Sequence, residues 1–231
     1  MVISVILAGG KGTRMQTSVP KQFLLLKNKP IIVHTIEKFL HIKEIDKIYV
    51  GINKEYKETF KEIVDTYLKE YKNKIEIVNG GKERIDTLVN VLDIIKKEKN
   101  KFSKEDIIIT HDAVRPFITE EKIRESIEKA IKYGCVTLAV KCIDTVIIGE
   151  NNFVEKVLDR NLLYRVQTPQ TFSMQKLIDV IDSIEENEKH LLTDACRMFV
   201  TRGYKVYNIE GSYNNIKITT KEDLIFAKNL L

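Results

Sequence analysis

Residues 2–14 read V-I-S-V-I-L-A-G-G-K-G-T-R, an apolar, β-branched run that passes directly into glycines. The run predicts a buried strand, and glycines just after it let consecutive backbone N–H groups point at phosphate oxygens. The spacing is neither G-x-G-x-x-G nor that of a Walker loop. Arg14 and Lys21 place two cations nearby, which favours a phosphate site over a plain glycine-rich turn with surface charges.

Outward from this stretch, short apolar runs alternate with helical patterns. The predicted strands are Val2–Leu7, Lys47–Ile52, Ile75–Val78, Ile107–Thr110 and Val136–Val140. The predicted helices are Ile31–Leu40 after Pro30, Tyr56–Tyr71, one marked by Leu88, Val91, Leu92 and Ile95, and one that Thr119 caps and Gly134 ends. This order predicts an α/β fold, a Rossmann-like, mostly parallel sheet with helices on both faces.

The alternation then breaks. Three short extended pieces are predicted, with a turn at 150–152 between the first two: Thr145–Gly149, Asn152–Val157 and Tyr164–Gln167. We interpret the chain as one domain, 1–231, with a projecting β-arm inserted at about 143–168. Beyond the arm, the pattern predicts helices Ser173–Ile184 and Asp194–Thr201, strands Tyr204–Ile209 and Ile216–Ile218, and a last helix from Thr220.

Bulk composition excludes several classes of protein. The net charge is +5, but the lysines are spread among glutamates along the whole chain, so no nucleic-acid partner is expected. The three cysteines form no C-x-x-C pair, which argues against a disulfide framework or a zinc site. No apolar run approaches about 18 residues and no signal sequence is evident, so we expect a cytoplasmic protein without a membrane partner.

Several polar residues follow predicted strands. Asp112 ends an apolar strand, where α/β proteins bind ligands, so it is a candidate for Mg²⁺ or another divalent cation; the alternative is a turn-capping Asp. His111 is as consistent with packing as with ligand contact, and Arg115 is expected to hold this loop. Residues 80–87 form either a turn whose backbone contacts a ligand or an ordinary βα turn. Capping suffices to explain Thr193 and Asp194.

The motifs together resemble a known family. G-G-x-G-T-R followed by P-K is typical of nucleotidyltransferases that act on sugar phosphates. The other motifs are P-K-Q-F (20–23), G-G-K-E-R (80–84), H-D-A-V-R-P-F (111–117), D-T (144–145), D-R-N-L-L-Y (159–164), Q-T-P-Q-T-F (167–172), L-T-D-A (192–195) and N-I-K-I-T (215–219). The set is similar to the cytidylyltransferases of 2-C-methylerythritol 4-phosphate and ribitol 5-phosphate. L-A-G-G in the first loop, rather than P-A-A-G, favours the ribitol branch, and with it a precursor of teichoic acid or capsule.

The resemblance implies roles for particular residues. Arg14 and Lys21 would be catalytic. CTP would be bound by Leu7, Ala8, Gly9, Gly10, Gly12, Thr13, Gly80, Gly81, Glu83, Arg84, Asp86, Thr87, His111 and Asp112, with Mg²⁺ at Asp112. The acceptor, a polyol phosphate, would be bound by Asp144, Thr145, Arg160, Thr168, Thr193 and Lys217. Lys82 departs from the acidic residue often found there in the methylerythritol branch. The arm would reach a second subunit, which implies a homodimer with shared sites.

Three alternatives stay open. The first is the methylerythritol 4-phosphate enzyme of isoprenoid precursor synthesis. The second is a non-catalytic CTP- or CDP-binding regulator, which the presence of Arg14, Lys21, Arg160 and Lys217 disfavours. The third is a general hexose-1-phosphate nucleotidyltransferase, for which the chain is short.

Overall fold

A computed structural model describes residues 1–10, 19–81, 83–98, 101–185, 188 and 195–231. Its centre is a seven-stranded sheet in the order β11-β7-β10-β6-β1-β4-β5. These strands are β1 (Val2–Ala8), β4 (Lys47–Ile52), β5 (Ile75–Asn79), β6 (Ile107–Asp112), β7 (Cys135–Lys141), β10 (Tyr164–Ser173) and β11 (Tyr207–Glu210). All neighbours pair in parallel except β10, which runs antiparallel to both β6 and β7. The predicted α/β fold with a mostly parallel sheet is confirmed.

Helices cover both faces of this sheet. They are α1 (Ile31–Leu40), α2 (Lys57–Tyr67), α3 (Arg84–Glu98), α4 (Glu120–Tyr133), α5 (Met174–Asp182), α6 (Ala195–Thr201) and α7 (Lys221–Leu230). Successive strand residues point to opposite faces, so Ile6 packs in the core with α1, α2 and α4, whereas Val5 packs with α3, α5 and α6. Among the described residues, none of the helices combines the length and the apolar character needed to span a bilayer.

The break in the alternation contains a small hairpin. Strands β8 (Ile147–Glu150) and β9 (Phe153–Val157) form a separate two-stranded sheet, around a turn in which Asn151 and Asn152 adopt positive φ angles of 50° and 69°. The third predicted piece differs, because Tyr164–Gln167 is the start of β10 in the central sheet. Its continuation through T-P-Q-T (168–171) was not predicted, because these residues lack the apolar pattern of a buried strand. Their polar side chains bond instead to other elements inside the protein, as when Oγ1 of Thr171 donates to Oγ of Ser126 at 2.9 Å.

Other boundaries also differ from the predictions. The predicted strand Tyr204–Ile209 is β11, Tyr207–Glu210, and the predicted helix Ser173–Ile184 is α5, Met174–Asp182. The predicted helix Tyr56–Tyr71 is α2 between two 3-10 turns, Lys54–Tyr56 and Lys69–Lys74. The predicted strand Ile216–Ile218 is not a strand: the backbone N–H of Ile218 donates to the carbonyl of Val114 at 2.9 Å, and its side chain is buried beside Ala227 of α7. Two strands of two residues each, β2 (Leu25–Leu26) and β3 (Lys29–Pro30), pair with each other, and β2 contacts α7.

Candidate active site

The carboxyl ends of the parallel strands form the edge at which the candidate residues meet. Leu7 and Ala8 end β1, and the buried Gln22 donates from Nε2 to the carbonyls of Ala8 at 2.7 Å and Gly10 at 3.3 Å. This side chain therefore holds the start of the first loop. Gln22 was not predicted as a site residue, although it stands in the P-K-Q-F motif next to Lys21, which opens a 3-10 turn.

Several predicted site residues lie outside the described part of the chain. They are Gly12, Thr13, Arg14 and Thr193, together with the neighbouring Lys82 and Asp194.

The first loop touches the turn after β5. A Cβ on Gly80 would lie 3.2 Å from the carbonyl oxygen of Ile52 and 3.3 Å from Cα of Gly9, so a side chain at Gly80 would press on both backbones. A Cβ on Gly81 would lie 2.1 Å from Cβ of Asp86, which no adjustment of a side chain relieves. Glycine is therefore required for this close approach, and the two segments predicted to bind the nucleotide are brought together.

The same turn is fixed by its own side chains. The N–H of Gly81 donates to Oγ1 of Thr87 at 2.9 Å, and the N–H of Glu83 donates to Oδ2 of Asp86 at 2.8 Å. Asp86 and Thr87 thus shape the start of α3, which favours an organising role for these two residues. The side chain of Arg84, the first residue of α3, is directed to Asp112.

Asp112 lies at the centre of a cluster of cations. Its carboxylate accepts from Arg84 at Oδ1, and from Nε of Arg115 at 3.2 Å and Nζ of Lys217 at 3.0 Å, both at Oδ2. Burial acts to raise the pKa of Asp112, but Arg84, Lys217 and Arg115 outweigh burial and hold it well below its usual range. The carboxylate is therefore ionised, and it joins the turn after β5 to the C-terminal part of the chain.

This environment does not fit a magnesium site made by the protein. A carboxylate that already neutralises three cations carries little negative charge for a metal. Within the described ranges, no group of three or more His, Cys, Asp or Glu side chains is arranged to hold a metal ion. The magnesium role of Asp112 therefore stays a prediction that this geometry does not support.

His111 is completely buried, and its surroundings favour the packing interpretation. Its Nε2 lies 3.1 Å from the carbonyl of Arg115, so this nitrogen donates, and the ring packs 4.9 Å from that of Phe39. Burial lowers the pKa of His111 to about 3, which keeps the imidazole neutral. The histidine therefore fixes the loop after β6, and its predicted contact with CTP stays a prediction.

Residues 211–218, here called the crossing segment, pass from the edge strand over the ends of the sheet. The segment contacts β7 through the N–H of Gly211, which donates to the carbonyl of Ala139 at 2.9 Å. It contacts β10 through Asn215, whose Nδ2 donates to the carbonyl of Thr168 at 2.9 Å. It then brings Lys217 to Asp112. This course across the strands explains why the predicted strand Ile216–Ile218 does not form.

Two further contacts fix the crossing segment against β6. Nη1 of Arg115 donates to the carbonyl of Asn215 at 2.8 Å, so Arg115 holds its loop, as predicted. The N–H of Asp112 donates to Oγ1 of the buried Thr168 at 3.1 Å. Thr168 therefore lies beside Asp112, as its predicted site role requires, but its hydroxyl binds the backbone N–H of Asp112 and so positions that residue.

A cleft of about 320 Å³ opens beside Lys217. Its lining includes Arg115, Arg165, Gln167, Tyr213 and Lys217. Arg165, Gln167 and Tyr213 were not predicted as site residues. No motif contains Arg165 or Tyr213, and Gln167 was given no role although it opens the Q-T-P-Q-T-F motif (167–172). The cleft is rich in cations, as an anionic ligand requires.

Three other predicted acceptor residues, Asp144, Thr145 and Arg160, are not among the described residues that line this cleft. Asp144 and Thr145 are exposed on the chain between β7 and the hairpin. Nη1 of Arg160 donates to the carbonyl of Ile143 at 3.2 Å. Among the described residues that line the cleft beside Lys217, Arg160 is absent.

Known proteins are similar to this chain over its full length. The family model described as IspD, 2-C-methyl-D-erythritol 4-phosphate cytidylyltransferase, matches residues 2–231. A ribitol-5-phosphate cytidylyltransferase of Streptococcus pneumoniae (strain ATCC 700669 / Spain 23F-1) is 42% identical over 233 residues, covering 100% of this chain and 99% of that protein.

Solved structures of the same family superpose on the fold. The 2-C-methyl-D-erythritol 4-phosphate cytidylyltransferase (IspD) of Francisella tularensis has a TM-score of 0.81 at 29% identity, covering 100% of this chain and 99% of that one. The 4-diphosphocytidyl-2C-methyl-D-erythritol synthase of Anaerococcus prevotii DSM 20548 has a TM-score of 0.77 at 27% identity, covering 100% and 95%. These matches confirm the resemblance that the sequence motifs indicated. The chain belongs to the IspD family of cytidylyltransferases, which are nucleotidyltransferases.

Proposed function

We propose that this enzyme transfers the CMP moiety of CTP to D-ribitol 5-phosphate, giving CDP-ribitol and pyrophosphate. The observation that carries the proposal is the meeting of Arg84 and Lys217 on the carboxylate of Asp112. Arg84 belongs to the predicted nucleotide turn and Lys217 to the predicted acceptor segment. Two substrate sites that share one side chain lie close enough for direct transfer of a group between them.

The chemistry needs no general base. The second pKa of a phosphate monoester is about 6, so the acceptor phosphate is largely dianionic at pH 7 and is itself the nucleophile. One of its oxygens forms a bond to the α-phosphorus of CTP, and the bond from that phosphorus to the bridging β-phosphate oxygen breaks. Pyrophosphate leaves with the electron pair. The neutral, buried His111 is consistent with this scheme, since no proton has to be removed.

The protein must bring two anions together and stabilise the charge that develops between them. Arg14 and Lys21 on the first loop are proposed to stabilise the transition state. Lys217 is proposed to hold the acceptor phosphate, with Asp112 fixing the ammonium in place. A divalent cation would reduce the repulsion between the two substrates, and its requirement is a prediction that chelation by EDTA and readdition of Mg²⁺ would test.

The arm supports the proposal of a homodimer. Its apolar side chains are strongly exposed, including Phe153 at 76% and Leu162 at 77%. Exposed apolar patches of this kind mark protein contacts. Arg160 opens the 3-10 turn Arg160–Leu162 within the arm and is not among the described residues that line the cleft beside Lys217, so we propose that Arg160 completes the acceptor site of a second copy of this chain.

A second candidate function is transfer to 2-C-methylerythritol 4-phosphate, which the description of the matching family model favours. The 42% identity to a ribitol-5-phosphate cytidylyltransferase supports the first candidate. Pyrophosphate release from CTP and Mg²⁺ should be measured with both acceptors side by side. We expect ribitol 5-phosphate to be preferred by at least about tenfold in kcat/KM, or ~1.4 kcal/mol.

A reversed preference would assign the enzyme to the isoprenoid branch. Binding of CTP, without release of its pyrophosphate in the presence of either acceptor, would instead favour a regulator.

A further inference from the structure

We infer that Arg165, lying against the ring of Tyr213, is an additional acceptor-binding residue that contacts the phosphate of the polyol phosphate. The inference rests on the proposed function and extends it to a residue that neither a sequence motif nor the proposed roles include.

The first support is the position of Arg165. Residues Arg165 and Gln167 are two apart on β10, so their side chains project from the same face of the strand. Gln167 contacts the crossing segment, because its Nε2 donates to the carbonyl of Ser212 at 2.8 Å. Arg165 therefore points to the side on which the crossing segment lies, and it lines the same cleft as Lys217.

The second support is the way in which its guanidinium is held. The guanidinium carbon of Arg165 lies 5.7 Å from the ring centroid of Tyr213, within the range of a cation–π contact. Tyr213 is itself fixed, since its hydroxyl donates to the carbonyl of Lys141 at 2.9 Å. A planar guanidinium against an aromatic face keeps its N–H edges directed outward, which is the geometry that binds a phosphate through two parallel hydrogen bonds.

The third support is charge. Arg115 and Lys217 are both paired with Asp112, and the other acidic residue of the cleft, Asp223, accepts from the backbone N–H groups of Thr219 at 2.8 Å and Thr220 at 2.9 Å. Among the residues that the structure describes, Arg165 has no carboxylate within ion-pair distance. Its charge is thus available to an incoming dianion, whereas the charges of Arg115 and Lys217 are partly neutralised.

The test compares Arg165→Gln with a control, Arg124→Gln, which removes an exposed arginine of α4 that pairs with Glu44. A charge-assisted contact to phosphate corresponds to roughly a tenfold or larger effect. Arg165→Gln should raise the KM for the acceptor by about tenfold, leave the KM for CTP unchanged, and act equally on ribitol 5-phosphate and methylerythritol 4-phosphate. The control should leave unchanged the KM for CTP and the KM for each of the two acceptors.

Two more substitutions test how the guanidinium is held. Arg165→Lys should recover the acceptor KM only in part, because an ammonium cannot form the planar, two-bond contact. Tyr213→Leu should raise the acceptor KM more than Tyr213→Phe, which keeps the aromatic face. An acceptor KM that is unchanged in Arg165→Gln, or a parallel rise in the KM for CTP, would overturn the inference. A changed ratio between the two acceptors would also overturn it, since Arg165 would then contact the polyol.

A binding experiment separates this inference from the proposed function. Wild type and Arg165→Gln should be titrated with inorganic phosphate, which requires no turnover, and the variant should bind at least about threefold more weakly. If neither polyol phosphate is a substrate but this difference is present, the proposed function fails while the anion-binding role of Arg165 stands. Equal phosphate binding by the two proteins would count against Arg165 whatever the substrate is.

Discussion

Replacing Asp112 with asparagine removes the negative charge on which three cations converge, while the shape of the side chain is kept. The Asp112 side chain is only 7% exposed, and breaking a buried ion pair from one side costs about 3–5 kcal/mol. Lys217 is 39% exposed and Arg84 is 24% exposed, so water screens part of the repulsion that remains. We therefore expect Asp112→Asn to lower the free energy of unfolding at pH 7 by roughly 2–3 kcal/mol, measured by urea denaturation.

The pH dependence tests the electrostatic reasoning. The pKa of Asp112 is depressed in the folded state, so its contribution to stability is present above the unfolded pKa, about 3.9, and is lost as the pH falls below that value. The stability difference between wild type and Asp112→Asn should be constant from about pH 7 to pH 5 and should shrink between about pH 4 and pH 3. A difference that stays constant down to pH 3 would refute the reasoning and indicate lost packing instead.

The control is Asp182→Asn, which removes an exposed carboxylate 3.1 Å from Lys96 on the surface. A pair of this kind contributes less than about 1 kcal/mol, so the control should be close to wild type at pH 7.

The remaining predictions concern activity. Lys21→Ala and Arg14→Ala should each lower kcat by roughly 10²–10³, as when a donor to developing charge is removed. Near-normal kcat in a folded Lys21→Ala protein would exclude that role. Lys217→Ala and Arg160→Ala should lower kcat/KM for the acceptor roughly 10- to 150-fold and leave CTP affinity, measured by calorimetric titration, almost unchanged. Loss of CTP affinity with an unchanged acceptor KM would place both residues in the nucleotide site. Deleting Gly149–Val154 should weaken dimerisation and activity together, and a fully active monomer in sedimentation would contradict the shared site.

Local signals account for the parts of the fold that the sequence predicted well. Helix α1 has the predicted limits, Ile31–Leu40, because Pro30 precedes it and its apolar face is regular. Helix α4 begins after Thr119, whose hydroxyl accepts from the N–H of Lys122, and ends at Gly134 with a φ of 84°. Both ends depend on residues within one turn of the boundary, which the sequence shows directly.

Tertiary contacts account for what the sequence did not predict. The second half of β10 is polar, and its Thr171 hydroxyl donates to Oγ of Ser126 at 2.9 Å inside the protein, so the usual apolar signal of a buried strand is absent. The sequence predicted Asp112 as a site residue for Mg²⁺ and CTP, from its place at the end of an apolar strand. It did not show that Arg84 and Lys217 pair with this carboxylate, because Arg84 lies 28 residues before Asp112 and Lys217 more than a hundred residues after it, and pairing at such separations leaves no local pattern.

The place where the arm leaves the sheet has a consequence for protein engineering. The last residue of β7, Lys141, pairs with the first residue of β10, Tyr164, and the N–H of Cys142 donates to the carbonyl of Leu163 at 2.9 Å. The two ends of the insertion therefore already meet, so lengthening or shortening it changes the closure entropy only slightly. The insertion can therefore be replaced at this position by the corresponding arm of a relative, while the register of β7 and β10 is preserved. Two versions of the chain that carry different arms would show which arm recognises which partner.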